Sequence, residues 1–139
     1  MADEITWAMD IEDSIFTILM VKLNSALLTE FPDMLVTQSD KYEAMAQFPA
    51  VYFHQIGNIE SGMDLSQQTI NGVMFTAQVD VTVTTSQSDA KRVANEAIVI
   101  FKELGFIITN LPIFNNTDSA YKCYFRVRRF IGANDEIGG

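Results

Sequence analysis

Few side chains in this sequence are equipped for covalent or metal chemistry. Among 139 residues there is one histidine, His54, and one cysteine, Cys123. His54 lies in Val51-Tyr52-Phe53-His54-Gln55, a run of strand formers. No second His and no Cys stands at ligand spacing from it, so the sequence gives no zinc site. Histidine-assisted attack needs a Ser or Cys brought to the imidazole by folding, and no spacing here signals one. A strand histidine at an edge or an interface is the preferred reading. Cys123 sits in an apolar-alternating segment and reads as a buried, inert thiol. The Asp and Glu residues form no recognisable acid/base pair. Neither GxGxxG nor GxxxxGK[ST] occurs, so a glycine loop for nucleotide phosphates is not supported. The sequence therefore assigns no catalytic residue, cofactor ligand or metal ligand, and the chain is read as a non-enzyme.

One group of charges stands out. Lys122, Arg126, Arg128 and Arg129 form the only basic cluster. Period-two alternation over residues 120–131 puts Lys122, Tyr124, Arg126, Arg128 and Phe130 on one face. It puts Tyr121, Cys123, Phe125, Val127, Arg129 and Ile131 on the other. Aromatic and basic residues together can form a platform for single-stranded nucleic acid. The net charge of −9 argues against affinity for a polyanion. Protein recognition fits better, and pairing of the cluster within its own chain stands as the equal alternative.

The acidic excess is confined to the first half. Residues 1–70 carry eleven acids against Lys22 and Lys41, whereas residues 71–139 carry seven acids and seven bases. Two readings stay open: two surfaces that meet different partners, or an ordinary solvated acidic face. The acidic half of one copy could meet the basic last strand of the next, a head-to-tail contact that closes into a ring if the rotation allows.

These residues must be positioned by a single domain, which is what 139 residues predict. Met1-Ala2-Asp3-Glu4 lacks the basic start of an export signal. The longest apolar run, residues 15–21, falls far short of the roughly 20 residues that span a bilayer, so no membrane association is expected.

Residues 11–30 predict a helix. Asp10 is its expected N-cap, and Ile11, Ile15, Ile18, Leu19, Leu23, Ala26 and Leu27 form its apolar stripe. Met20 and Val21 lie off that stripe. Residues 1–9 and 132–139 are expected as loose termini. A weak strand is expected at 35–38 and a stronger one at 49–59. Residues 57–76 read as a long loop or the tip of an extended hairpin. Residues 73–85 alternate strictly and predict a long strand whose first half projects beyond the sheet. Ser86-Gln87-Ser88-Asp89 resembles a capping box. It opens a second helix with the stripe Ala90, Val93, Ala94, Ala97, Ile98, Phe101 and Leu104, and Gly105 stands at the C-cap. Two strands follow, joined by a turn at 115–118. The fold class is α+β: a mostly antiparallel sheet packed by two main helices, in the order α-(β)-β-β-α-β-β.

In this order of elements the chain resembles the tail terminator (tail-completion) proteins of long-tailed bacteriophages and related minor tail and neck proteins. The resemblance is carried by the alternating strand at 75–83, the helix at 88–104 and Gly105-Phe106. It continues through Pro112 and the closing Phe125-Arg126-Val127-Arg128-Arg129-Phe130, after an N-terminal amphipathic helix and a Phe48-Pro49-Ala50-Val51 strand entry. It spans about residues 10–131. It implies a structural virion protein, assembled in the host cytoplasm, that forms a hexameric ring on the head-proximal end of the tail tube. Such a ring ends tube polymerisation and offers the surface that joins the head connector. The implied partners are other copies of the chain, the tail tube protein and a connector or neck protein, with DNA passing through the lumen without specific binding.

In that frame Glu60, Met63, Asp64 and Leu65 of the polar segment at 60–68 are candidates for contacting tube or connector. Met63 and Leu65 would act as apolar anchors. Lys122, Arg126, Arg128 and Arg129 are the candidates on the last strand. Other readings are another neck ring component (a head-completion or stopper protein), a small enzyme whose site forms on oligomerisation, and a stand-alone ligand-binding module.

Overall fold

The computed structural model describes residues 2–41, 47–61 and 72–132. The elements run α1 (Ala2–Leu27), β1 (Leu35–Thr37), β2 (Ala50–Ser61), β3 (Gly72–Val83), α2 (Gln87–Glu103), β4 (Ile107–Phe114) and β5 (Tyr121–Gly132). This is the α+β order that the sequence predicts. The strands form one sheet in the order β1-β2-β3-β5-β4. β1 runs parallel to β2, and every other pairing is antiparallel.

Alternation along the strands divides the sheet into two unlike faces. Val51 and Phe53 of β2, Phe75, Ala77, Val79 and Val81 of β3, and Cys123, Phe125 and Val127 of β5 are all buried in one cluster. Both helices press their stripes onto that face. From α1 it receives Ile11, Ile15, Leu19, Leu23 and Leu27; from α2, Ala90, Val93, Ala94, Ala97, Ile98 and Phe101. The stripe expected on α1 is slightly too wide, since Ala26 is exposed and Ile18 only partly buried. Phenylalanines bind the layers together. Phe101 of α2 lies 6.0 Å from Phe53 and 6.2 Å from Phe125, and Phe53 stacks on Phe75 at 6.3 Å. Separations of this size suit offset-stacked or edge-to-face ring pairs.

The ends of α2 follow from its local sequence. Ser86 Oγ accepts a hydrogen bond from the Asp89 backbone N–H at 3.1 Å. The Asp89 carboxylate takes the Thr85 hydroxyl instead of reaching back to close a reciprocal box. At the other end Gly105 has φ +86. The Phe106 N–H bonds Phe101 O at 2.9 Å, and the Gly105 N–H bonds Lys102 O at 3.0 Å. These are the two bonds of a Schellman cap, and the Phe106 ring completes it against Phe101 at 5.2 Å.

Three expectations change. α1 begins at Ala2, so residues 2–9 are helical and Asp10 lies inside the helix rather than at its cap. The first half of β3 does not project alone, because β5 pairs with it over its whole length, from Gly72 with Gly132 to Val83 with Tyr121. Gly132 therefore closes a strand and does not open a tail. Of the segment read as loop or hairpin, residues 57–61 pair with residues 72–76, so the hairpin alternative holds there.

Gly105→Ala forces a side chain into the left-handed region, which costs about 1–2 kcal/mol. A new Cβ would meet nothing closer than the Arg129 side chain at 3.5 Å, so strain rather than collision sets the loss. The urea midpoint should fall while the slope of the transition stays unchanged.

Candidate interaction face of the sheet

The face away from the helices holds most of the polar and charged strand residues. Directly paired residues of neighbouring antiparallel strands share a face, so the register sets out rows across it. Tyr52, Asp80, Tyr124 and Ile113 form one row. His54, Gln78, Arg126 and Asn110 form the next, and Gly57, Thr76, Arg128 and Ile107 a third. Met74 and Phe130 follow. Among the described residues no helix covers this face: Arg126, Arg128 and Phe130 are exposed, and Tyr52, His54, Gln78, Asp80 and Tyr124 are half-buried.

A hydrogen-bonded chain crosses three strands. His54 Nε2 lies 2.8 Å from Asp80 Oδ2, and Gln78 Nε2 donates to Asp80 Oδ1 at 3.0 Å. Arg126 Nε donates to Gln78 Oε1 at 2.9 Å. Tyr52 stacks on the imidazole at 4.3 Å, and the Arg126 guanidinium stands 5.8 Å from the Tyr124 ring centre. These contacts hold His54, Asp80, Gln78 and Arg126 in fixed positions. Arg128 makes no hydrogen bond or ion pair among the described residues, and its charge points to solvent. Exposed apolar groups flank it, with Ile107 59% and Phe130 46% accessible.

The four basic residues expected to act together divide between the faces. Lys122, Arg126 and Arg128 share the open face with Tyr124 and Phe130, as the alternation predicts. Arg129 is on the helix side, where its Nη1 donates to Leu104 O at 2.9 Å. There it places a cation against the C-terminal carbonyls of α2, where the dipole favours one. Glu60 is in β2, paired with Val73. Met63, Asp64 and Leu65 lie outside the described residues.

The His54–Asp80 contact escaped the sequence reading. It is a diagonal between strands, since His54 is paired with Gln78 and Asp80 with Tyr52, and only the register reveals it. The buried Cys123 thiol is on the opposite face, so the sheet separates it from the imidazole. Among the described residues no three His, Cys, Asp or Glu gather to hold a metal ion. No described helix is long and apolar enough to cross a membrane.

The fold and this face define a two-layer α+β domain in which the described residues leave one side of the sheet uncovered. Compared with known proteins, the chain matches no family model and no curated sequence.

Burial, and after it the Asp80 charge, push the Cys123 thiol from 9.0 up to about 11. The unfolded chain then loses this proton before the native one does. The thiol's contribution to stability is complete below pH 9 and is lost as pH rises from 9 towards 11. Urea midpoints across that range should fall more steeply for the wild type than for Cys123→Ala. At pH 8 a thiol reagent should label the protein only after unfolding.

Proposed function

We propose that this chain is a structural ring protein of a phage tail, capping the head-proximal end of the tail tube. The observation that carries this reading is the bare sheet face, which presents Arg126, Arg128, Tyr124, Phe130 and Ile107 together. Exposed apolar groups set among fixed polar ones mark a surface that meets another protein. The order of elements, with an amphipathic helix first and an Arg-rich strand last, is the pattern on which the resemblance to tail terminators rests.

The uneven charge supports self-assembly. The acids concentrate in residues 1–70, and the largest group of bases is on β5. Unlike patches on one subunit favour a heterologous contact, and such contacts close into rings when the rotation permits. Each copy adds −9 to the assembly. Acidic groups near a lumen would repel the DNA backbone and keep its passage free of sticking.

Native mass measured over a concentration series, with imaging of the same samples, tests the reading. Six-fold rings are expected, either alone or on addition of purified tail tubes. Tubes carrying the ring should stop elongating when more tube subunit is supplied. A protein that neither forms rings nor binds tube ends overturns the assignment, and binding to DNA-filled heads in place of tubes transfers it to another neck component. The double variant Met63→Ala/Leu65→Ala should weaken tube capping while leaving the unfolding transition of the subunit unchanged. Normal tail completion by that variant removes segment 60–68 from the docking surface.

A further inference from the structure

Two features at opposite ends of the same strands fit one another. The first is a knob. Phe130 and Arg128 stand two residues apart on the bare face of β5, the ring 46% exposed and the guanidinium without a partner among the described residues. The second is a socket of about 120 Å³, walled by Phe31, Pro32, Phe48, Pro49 and Val83. Glu30, Asp33, Thr84 and Thr85 form its polar rim. Glu30 already holds Arg92 at 3.3 Å. Asp33 is exposed and has no ion pair or hydrogen bond among the described residues.

Size and charge both match. An enclosed cavity of about 150 Å³ takes up a benzene molecule; this recess, of about 120 Å³ and open on one side, has room for the edge of a phenyl ring. Aromatic rings and prolines on its walls offer the apolar contact that such a ring needs. The cation beside the knob answers the unpaired carboxylate beside the socket. The two patches do not overlap. Phe130 is paired with Met74 near the start of β3, and Val83 ends that strand. At roughly 3.3 Å per residue the separation is about 30 Å.

We infer that Phe130 of one copy inserts into the Phe31/Pro32/Phe48/Pro49 socket of a second copy, with Arg128 pairing there with Asp33. This rests on the ring reading above and names the contact that would build the ring. The apolar insertion supplies the affinity, and the charge pair fixes partner and register. Because knob and socket are separate surfaces of one subunit, the contact can repeat head-to-tail, with each added copy presenting a new socket or a new knob, as the ring requires.

Charge reversal with rescue tests it. Self-association is measured by sedimentation and native mass for the wild type, Arg128→Glu, Asp33→Arg, the double reversal and Phe130→Ala. Far-UV circular dichroism confirms that each is folded. Each single reversal should weaken association about tenfold or more, because like charges then face each other. The double reversal should restore association to near the wild-type level, and Phe130→Ala should weaken it without rescue by any charge change. Rings that persist in both single reversals overturn this contact and leave the ring reading intact. A double reversal as weak as the singles overturns the contact as well. A two-fold dimer that the singles break and the double restores keeps the contact and sinks the ring. A wild type that stays monomeric both alone and with tail tubes overturns both.

Discussion

Phe53, Phe75, Phe101, Phe106 and Phe125 meet between the helices and one face of the sheet, and that one-sided clamp governs the rest of the molecule. Phe101 is its hinge point, in ring contact with Phe53, Phe106 and Phe125 at 6.0, 5.2 and 6.2 Å. Because α1 and α2 bury their stripes in the same cluster, the described elements leave the second face of the sheet bare. Antiparallel sheets tolerate this arrangement when alternate residues are polar. Here the alternation is incomplete. Tyr52, Tyr124, Phe130, Ile107 and Ile113 interrupt the polar positions, so the uncovered face is only partly suited to water. That mismatch leaves apolar side chains exposed beside the polar ones on the uncovered face.

The polar groups on the face are held by one another. Hydrogen bonds run from His54 through Asp80 and Gln78 to Arg126, and two aromatic rings back the ends of the chain. A surface fixed in this way loses less freedom when it docks than one of independent long side chains. His54 and Asp80 are joined in this network at 2.8 Å, and Gln78 ties Asp80 on towards β5.

Much of the fold was legible in order. The stripe of α2 and the Leu104-Gly105 stop could be read directly, because helical spacing and a left-handed glycine are local properties. The alternation of β3 and β5 identified their faces for the same reason. The start of α1 was misplaced, since Asp10 has the chemistry of a cap while the helix continues back to Ala2. Alternation sends Arg129 to the opposite face from Arg126 and Arg128, but its partner, Leu104 O 25 residues away, depends on the tertiary structure.

Local pattern alone is enough for the α+β class, the main stripes of the two helices and the split of β5 into a buried apolar face and an open basic one. Each depends on periodicities of two or 3.6 residues that the chain carries within a single element. Strand order and register, by contrast, set that both helices cover the same face, that His54 reaches Asp80, and that Phe31, Pro32, Phe48, Pro49 and Val83 line one open recess. Those contacts join residues separated by up to dozens of positions. They depend on strand order and register, which no local pattern encodes.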